Sequence, residues 1–221
     1  MIQTIDGVQT IPVQIPAVGV MLEGDLAVPP DARGAVLFAH GSGSGRFSER
    51  NRAVAATLQA AGFATLLFDL LTAAEEREER YTRHLRFDID LLIGRLVAAT
   101  EWIERRPETV GLKLGYFGAS TGGAAALGAA AERPEVAAVV SRGGRPDLTP
   151  DASLFAVQAP TLLIVGGDDR QVLALNRRTM ARMRAPVALE IVPGATHLFE
   201  EPGALDQVAR LAREWFETYL R

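Results

Sequence analysis

Gly118-Ala119-Ser120-Thr121-Gly122 lies between a short apolar run, Leu112 to Phe117, and an alanine-rich helical pattern, Ala124 to Ala131. A serine with glycines two positions before and two after it, at the point where a strand gives way to a helix, reads as a nucleophile elbow. The turn is too sharp for bulky neighbours. The glycines let strand and helix approach closely, so Ser120 is expected at the carboxyl edge of a sheet, on an unusual and strained backbone.

Working outward, the runs Val136 to Val140, Thr161 to Val165 and Val187 to Val192 read as further strands, with helix-like stretches at Gln171 to Met183 and Pro202 to Leu220. Upstream, the buried-type strand Gly34 to Ala39 ends in a glycine loop, His40-Gly41-Ser42-Gly43-Ser44-Gly45. Ser48 or Asn51 then opens a helical pattern (Val54, Leu58, Ala61) that stops at Gly62, and Phe63 to Phe68 is the next strand. Val13 to Pro16 and Val18 to Val28 suggest an antiparallel start with a tight connection. Leu85 to Pro107 is an amphipathic helix by the spacing of Ile89, Leu92, Leu96, Ala99 and Ile103. Between Asp69 and Arg86, interleaved glutamates and arginines suggest a solvated, mobile or helical surface segment near the mouth of any site at that sheet edge. Strands alternating with helices predict an α/β fold in which a mostly parallel, eight-stranded sheet carries helices on both faces.

The chain has 221 residues, 48% of them hydrophobic, which suits a single domain over 1–221 with one sizeable core. With 23 basic and 27 acidic residues the formal net charge is -4, so there is no basic surplus of the kind nucleic-acid binding shows. The absence of cysteine rules out disulfides, thiolate metal sites and a cysteine nucleophile. Met1 to Pro16 lacks a basic start followed by an apolar core, and no stretch is long and apolar enough to span a bilayer, so a cytoplasmic location is expected.

The elbow in this setting resembles that of the α/β-hydrolases, in which an acid and then a histidine follow the serine along the chain. A serine hydroxyl needs a base, usually a histidine held by a carboxylate. Of His40, His84 and His197, only His197 follows Ser120; it lies in Pro193-Gly194-Ala195-Thr196-His197, after a strand and before the last helix. The acid is expected after Thr161 to Val165, in Gly166-Gly167-Asp168-Asp169-Arg170-Gln171-Val172. The register GxxD with a valine three residues on resembles the acid loop of many α/β-hydrolases, which favours Asp169 and leaves Asp168 to cap the turn; Asp147 and Asp151, in the preceding strand's loop that some relatives use, are more distant options. Two converging backbone amides suffice for an oxyanion hole. Thr121 supplies one, and the loop after Ala39 the other, assigned to Ser42 with Gly43 as the fallback. His40 reads as a residue that anchors this loop.

The order HGxGxG, GxSxG, GxxD, GxxH spans the chain and resembles the dienelactone-hydrolase-like group. Arg50-Asn51-Arg52, Asp69-Leu70-Leu71-Thr72 and Ser141-Arg142-Gly143-Gly144-Arg145-Pro146-Asp147 extend the likeness to a subgroup found alone or fused to phosphoribosyltransferases. The resemblance implies ester or lactone hydrolysis with no metal or organic cofactor. Dienelactone hydrolases proper carry cysteine at the elbow, where this chain has Ser120, which favours a serine carboxylesterase. Too few residues separate Val140 from Thr161 for a cap domain, so an open site for short acyl esters is expected. Lactonase or thioesterase activity on the same triad, and a catalytically silent fold that binds a ligand or protein, are the alternatives. Arg142, with Gly43, is a candidate for binding substrate, its guanidinium suited to a carboxylate. The expected partner is a small-molecule ester, without nucleic acid or membrane, for a monomer or homodimer.

Overall fold

The computed structural model describes residues 3–5 and 8–221; Met1, Ile2, Asp6 and Gly7, part of the N-terminal stretch read above for a leader, lie outside the described residues. All five residues of Ala35–Ala39 (β4) are buried, and they alternate between two cores: Ala35, Leu37 and Ala39 face one, Val36 and Phe38 the other. A strand with this pattern is covered on both faces. Ala64–Phe68 (β5), Leu114–Ala119 (β6), Ala138–Arg142 (β7) and Thr161–Gly166 (β8) are buried along their whole length in the same way. Val8–Ala17 (β2), Val20–Val28 (β3) and Val187–Val192 (β9) complete the eight strands expected, and a three-residue strand at the edge, Gln3–Ile5 (β1), brings the sheet to nine.

The strand order is β1-β2-β3-β5-β4-β6-β7-β8-β9. Pairs from β5 through β9 are parallel, and β1, β2 and β3 form the antiparallel start. Val18 and Gly19 alone join β2 to β3, with φ of 40° and 79°, the left-handed pair that a two-residue hairpin requires. On one face lie Ile89–Glu104 (α3), Thr121–Glu132 (α4) and Asp151–Ala156 (α5); on the other lie Glu49–Ala60 (α1) and Ala204–Tyr219 (α7). Arg170–Met180 (α6) packs on β8 and β9. The alanines and glycines of α4 are what let it sit this deep: Ala124 to Ala130 are all buried, against α3 and the sheet. Between β7 and β8 there is only a turn of 3-10 helix, Pro146–Leu148, and α5.

Two expectations change. The pattern beginning at Leu85 is not one helix: Leu85–Phe87 is a 3-10 turn, and Asp88 caps α3 by accepting from the Leu91 N–H at 3.0 Å. The charged segment forms a helix, Ala73–Thr82 (α2), capped by Thr72 and Glu75 acting reciprocally, but it is not solvated throughout. Glu79 is fully buried; burial acts to raise its pKa, but bonds from the Arg86 side chain, the Leu85 and Arg86 N–H groups and Thr82 outweigh that and hold it at about 2. Glu75 is likewise held at about 2, chiefly by Arg95. These carboxylates tie α2 to α3 and to the turn that follows it.

Candidate active site

β6 ends at Ala119 and α4 starts at Thr121, so Ser120 alone makes the turn, at φ 52° and ψ -120°. This is the positive-φ, strained conformation expected of the elbow. Its N–H donates to Arg142 O at 3.2 Å, and its carbonyl accepts from Gly123 and Arg145 N–H at 2.9 and 3.0 Å. The Ser120 backbone is thus held by β7 and by the loop after it.

His197 follows β9 and lies with Nε2 3.4 Å from Ser120 Oγ and Nδ1 2.7 Å from Asp169 Oδ2. Asp169 caps α6, its Oδ1 accepting from Val172 N–H at 3.4 Å, so the valine three residues on fixes the carboxylate's orientation. Asp168 is exposed and meets Ala195 O only through its own N–H. Asp147 pairs with Arg145 and Asp151 with Arg182, neither with His197. With the carboxylate on Nδ1, the imidazole carries its proton there and turns Nε2 toward the serine as acceptor.

The glycine loop lies against the elbow. A Cβ on Gly41 would stand 3.1 Å from Ser120 Cβ and 3.2 Å from Ala119 O, so only glycine allows this approach without movement. His40 anchors the loop from below: buried, it accepts from Leu70 N–H on Nε2 at 2.9 Å, which leaves the Nδ1 proton to donate to Gly41 O at 2.9 Å. Burial pushes this imidazole's pKa down and keeps it neutral. Asp69 accepts from Arg46 N–H at 2.7 Å and from its guanidinium, which fixes the far side of the loop.

Ser120, His197, Ser42 and Arg142 line one cleft of about 210 Å³, together with Ser44, Ser48, Arg50 and Leu198. Thr121 opens α4, so its N–H is among those at a helix start with no intrahelical acceptor. Gly43 occupies the turn closed by Ser44 N–H to Gly41 O, at φ 70°, and is not among the cleft's lining residues. Ser44 also lines a larger cavity of about 570 Å³ on the other side of the loop, bounded by Met21, Phe47 and α2. Arg50 and Ser48 line the cleft without belonging to any of the sequence motifs at its other residues. Their one signal in the sequence is that both lie within five residues of Gly45, at the cap and in the first turn of α1. No group of three or more His, Asp or Glu side chains among the described residues is arranged to hold a metal ion.

The description "Dienelactone hydrolase family" belongs to a family model that matches residues 22–220. A crystal structure named as dienelactone hydrolase from Anabaena variabilis is 59% identical, with a TM-score of 0.95 and coverage of 97% of this chain and 100% of that one. A Mycobacterium tuberculosis protein provisionally named a phosphoribosyl transferase is 58% identical over 209 residues, which are 94% of this chain but 46% of that protein, so the chain spans less than half of this relative. Est1E from Butyrivibrio proteoclasticus, at 17% identity and a TM-score of 0.78, shares the fold.

Proposed function

This chain belongs to the dienelactone hydrolase family, and on that footing we propose that it is a serine carboxylesterase acting on short-chain esters. The hydrogen-bonded series Ser120, His197 and Asp169 is the observation that carries this reading. Ser120 Oγ attacks the ester carbonyl carbon as its proton passes to His197 Nε2; the tetrahedral oxyanion is met by the N–H groups of Thr121 and Ser42. The bond to the leaving oxygen breaks, and His197 returns the proton to the alcohol. A water then gives its proton to His197 and attacks the acyl-enzyme, releasing the acid and restoring Ser120. Asp169 holds His197 in the productive tautomer and stabilises the imidazolium that forms.

Asp169→Asn is expected to lower kcat/KM for p-nitrophenyl acetate by about 10³ to 10⁴-fold, because the amide favours the wrong imidazole tautomer. Asp168→Asn leaves it nearly unchanged. Steady-state kinetics of the two variants side by side checks this, and an equal loss in both would remove Asp169 from its role.

The small cleft, and the absence of a cap between β7 and β8, support short acyl chains. From p-nitrophenyl butyrate to octanoate, kcat/KM is expected to fall by about tenfold or more; a rise with chain length would contradict the reading. The name of the Anabaena variabilis relative favours one second reading, lactone hydrolysis, since a lactone is an internal ester opened by the same steps. Phosphoribosyl transfer has no counterpart in the serine, histidine and aspartate set, and we attribute that name to the part of the relative outside the match.

A further inference from the structure

Arg142 closes β7 in register with Ala119, the residue before the nucleophile, and lines the cleft that holds Ser120. It is only 7% exposed, yet no carboxylate among the described residues pairs with it, and its Nε has no partner. Its contacts are weak: Nη2 lies 3.5 Å from Asn51 Oδ1, and the guanidinium is 5.9 Å from the centre of the Phe199 ring. Burial first, and then the nearby Arg50, pulls its pKa down to about 10, which leaves it charged at neutral pH. Buried charges are normally paired, so one left open at a reactive serine points to a missing anion.

Arg50 supplies a second positive charge to the same cleft. Its Nε is also buried and unpartnered, while its outer end reaches the exposed Glu200 at 3.3 Å. It stands in the first turn of α1, a twelve-residue helix capped by Ser48, and Ser44 and Ser48 also line the cleft. The helix start favours negative charge, and the hydroxyls offer further donors. The exposed Glu200 meets only the outer end of Arg50, so the inner side of the cleft presents two guanidiniums, two hydroxyls and a helix start, more donors than the two oxygens of one carboxylate can satisfy. A phosphate monoester, at about -2 and with three acceptor oxygens, meets the unpaired Arg142 and has the acceptors for this surplus of donors.

We infer that Arg142, Arg50 and the start of α1 form a subsite for a dianionic, phosphate-like group, and that the substrates are short esters carrying such a group near the carbonyl. The inference rests on the esterase reading and specifies its substrate class. The cleft volume of about 210 Å³ equals about seven water volumes, enough for a short acyl ester and one such group.

The test uses inorganic phosphate and acetate as inhibitors of p-nitrophenyl acetate hydrolysis at constant ionic strength, with calorimetric titration of phosphate into Ser120→Ala as a readout independent of turnover. Phosphate is expected to compete with the ester and to bind about tenfold or more tightly than acetate. Arg142→Met is expected to abolish this inhibition. Arg50→Gln, at a partly exposed position, is expected to weaken phosphate by about tenfold and acetate by less. Equal inhibition by the two anions, no phosphate binding by either readout, or binding that survives in both arginine variants would each overturn the inference. Failure of the esterase reading shows differently, as hydrolysis that does not depend on Ser120, and leaves the calorimetric result standing on its own.

Discussion

Ser120→Ala is expected to lower p-nitrophenyl acetate and butyrate hydrolysis by about 10⁴-fold or more, to the level of a site that binds but has no nucleophile. Alanine keeps the Cβ and the turn, and the Ser120 backbone bonds to Arg142, Gly123 and Arg145 do not involve the hydroxyl. The variant should therefore fold and melt like the parent, so the loss reports chemistry rather than structure. His197→Ala is expected to cost a similar factor, and the double variant hardly more than either single one, because the residues act as one unit. Equal rates for the parent and Ser120→Ala would place the hydrolysis elsewhere.

Gly122→Ala is expected to be the most damaging single methyl group that can be added near the site. A Cβ there would stand 2.0 Å from Ala39 O and 2.6 Å from His40 O, both backbone atoms at the root of the glycine loop. Neither is the free end of a flexible side chain, so β4 and α4 must separate. Overpacking a well-filled site costs about 1–3 kcal/mol, and against rigid backbone we expect about 3 kcal/mol or more. The same displacement would carry Ser42 away from Ser120, so activity should fall even where the variant still folds. Denaturant unfolding and kcat on the folded fraction separate the two effects. A variant as stable and as active as the parent would mean that the elbow does not need its second glycine.

Much of this was legible because it is local or set by spacing. The turn at Ser120 is written in Gly118 and Gly122, and the two side chains that the fold brings toward it, Asp169 and His197, in their positions after β8 and β9. The central strands were readable from unbroken apolar runs, since parallel strands are covered on both faces. What escaped depends on chain segments distant in sequence. Arg142 meets Asn51 and Arg50 across the sheet edge, an encounter of β7 with α1 that no local pattern encodes. Glu79 sits in a run of charges that composition assigns to the surface, and it is buried because the chain reverses at Arg83, at φ 55°, and folds Leu85 and Arg86 back over it. Gln3–Ile5 pairs with β2 over three residues, too short a run for a strand pattern to show in the sequence.

The reading turns on one atom, Ser120 Oγ, and labelling it is the most direct test. A fluorophosphonate probe should modify the folded protein once, at Ser120 by peptide mapping, with labelling lost in Ser120→Ala and strongly slowed in His197→Ala. Labelling of Ser42, Ser44 or Ser48 instead, or full esterase activity in protein that the probe leaves unmodified, would contradict an acyl-enzyme on Ser120.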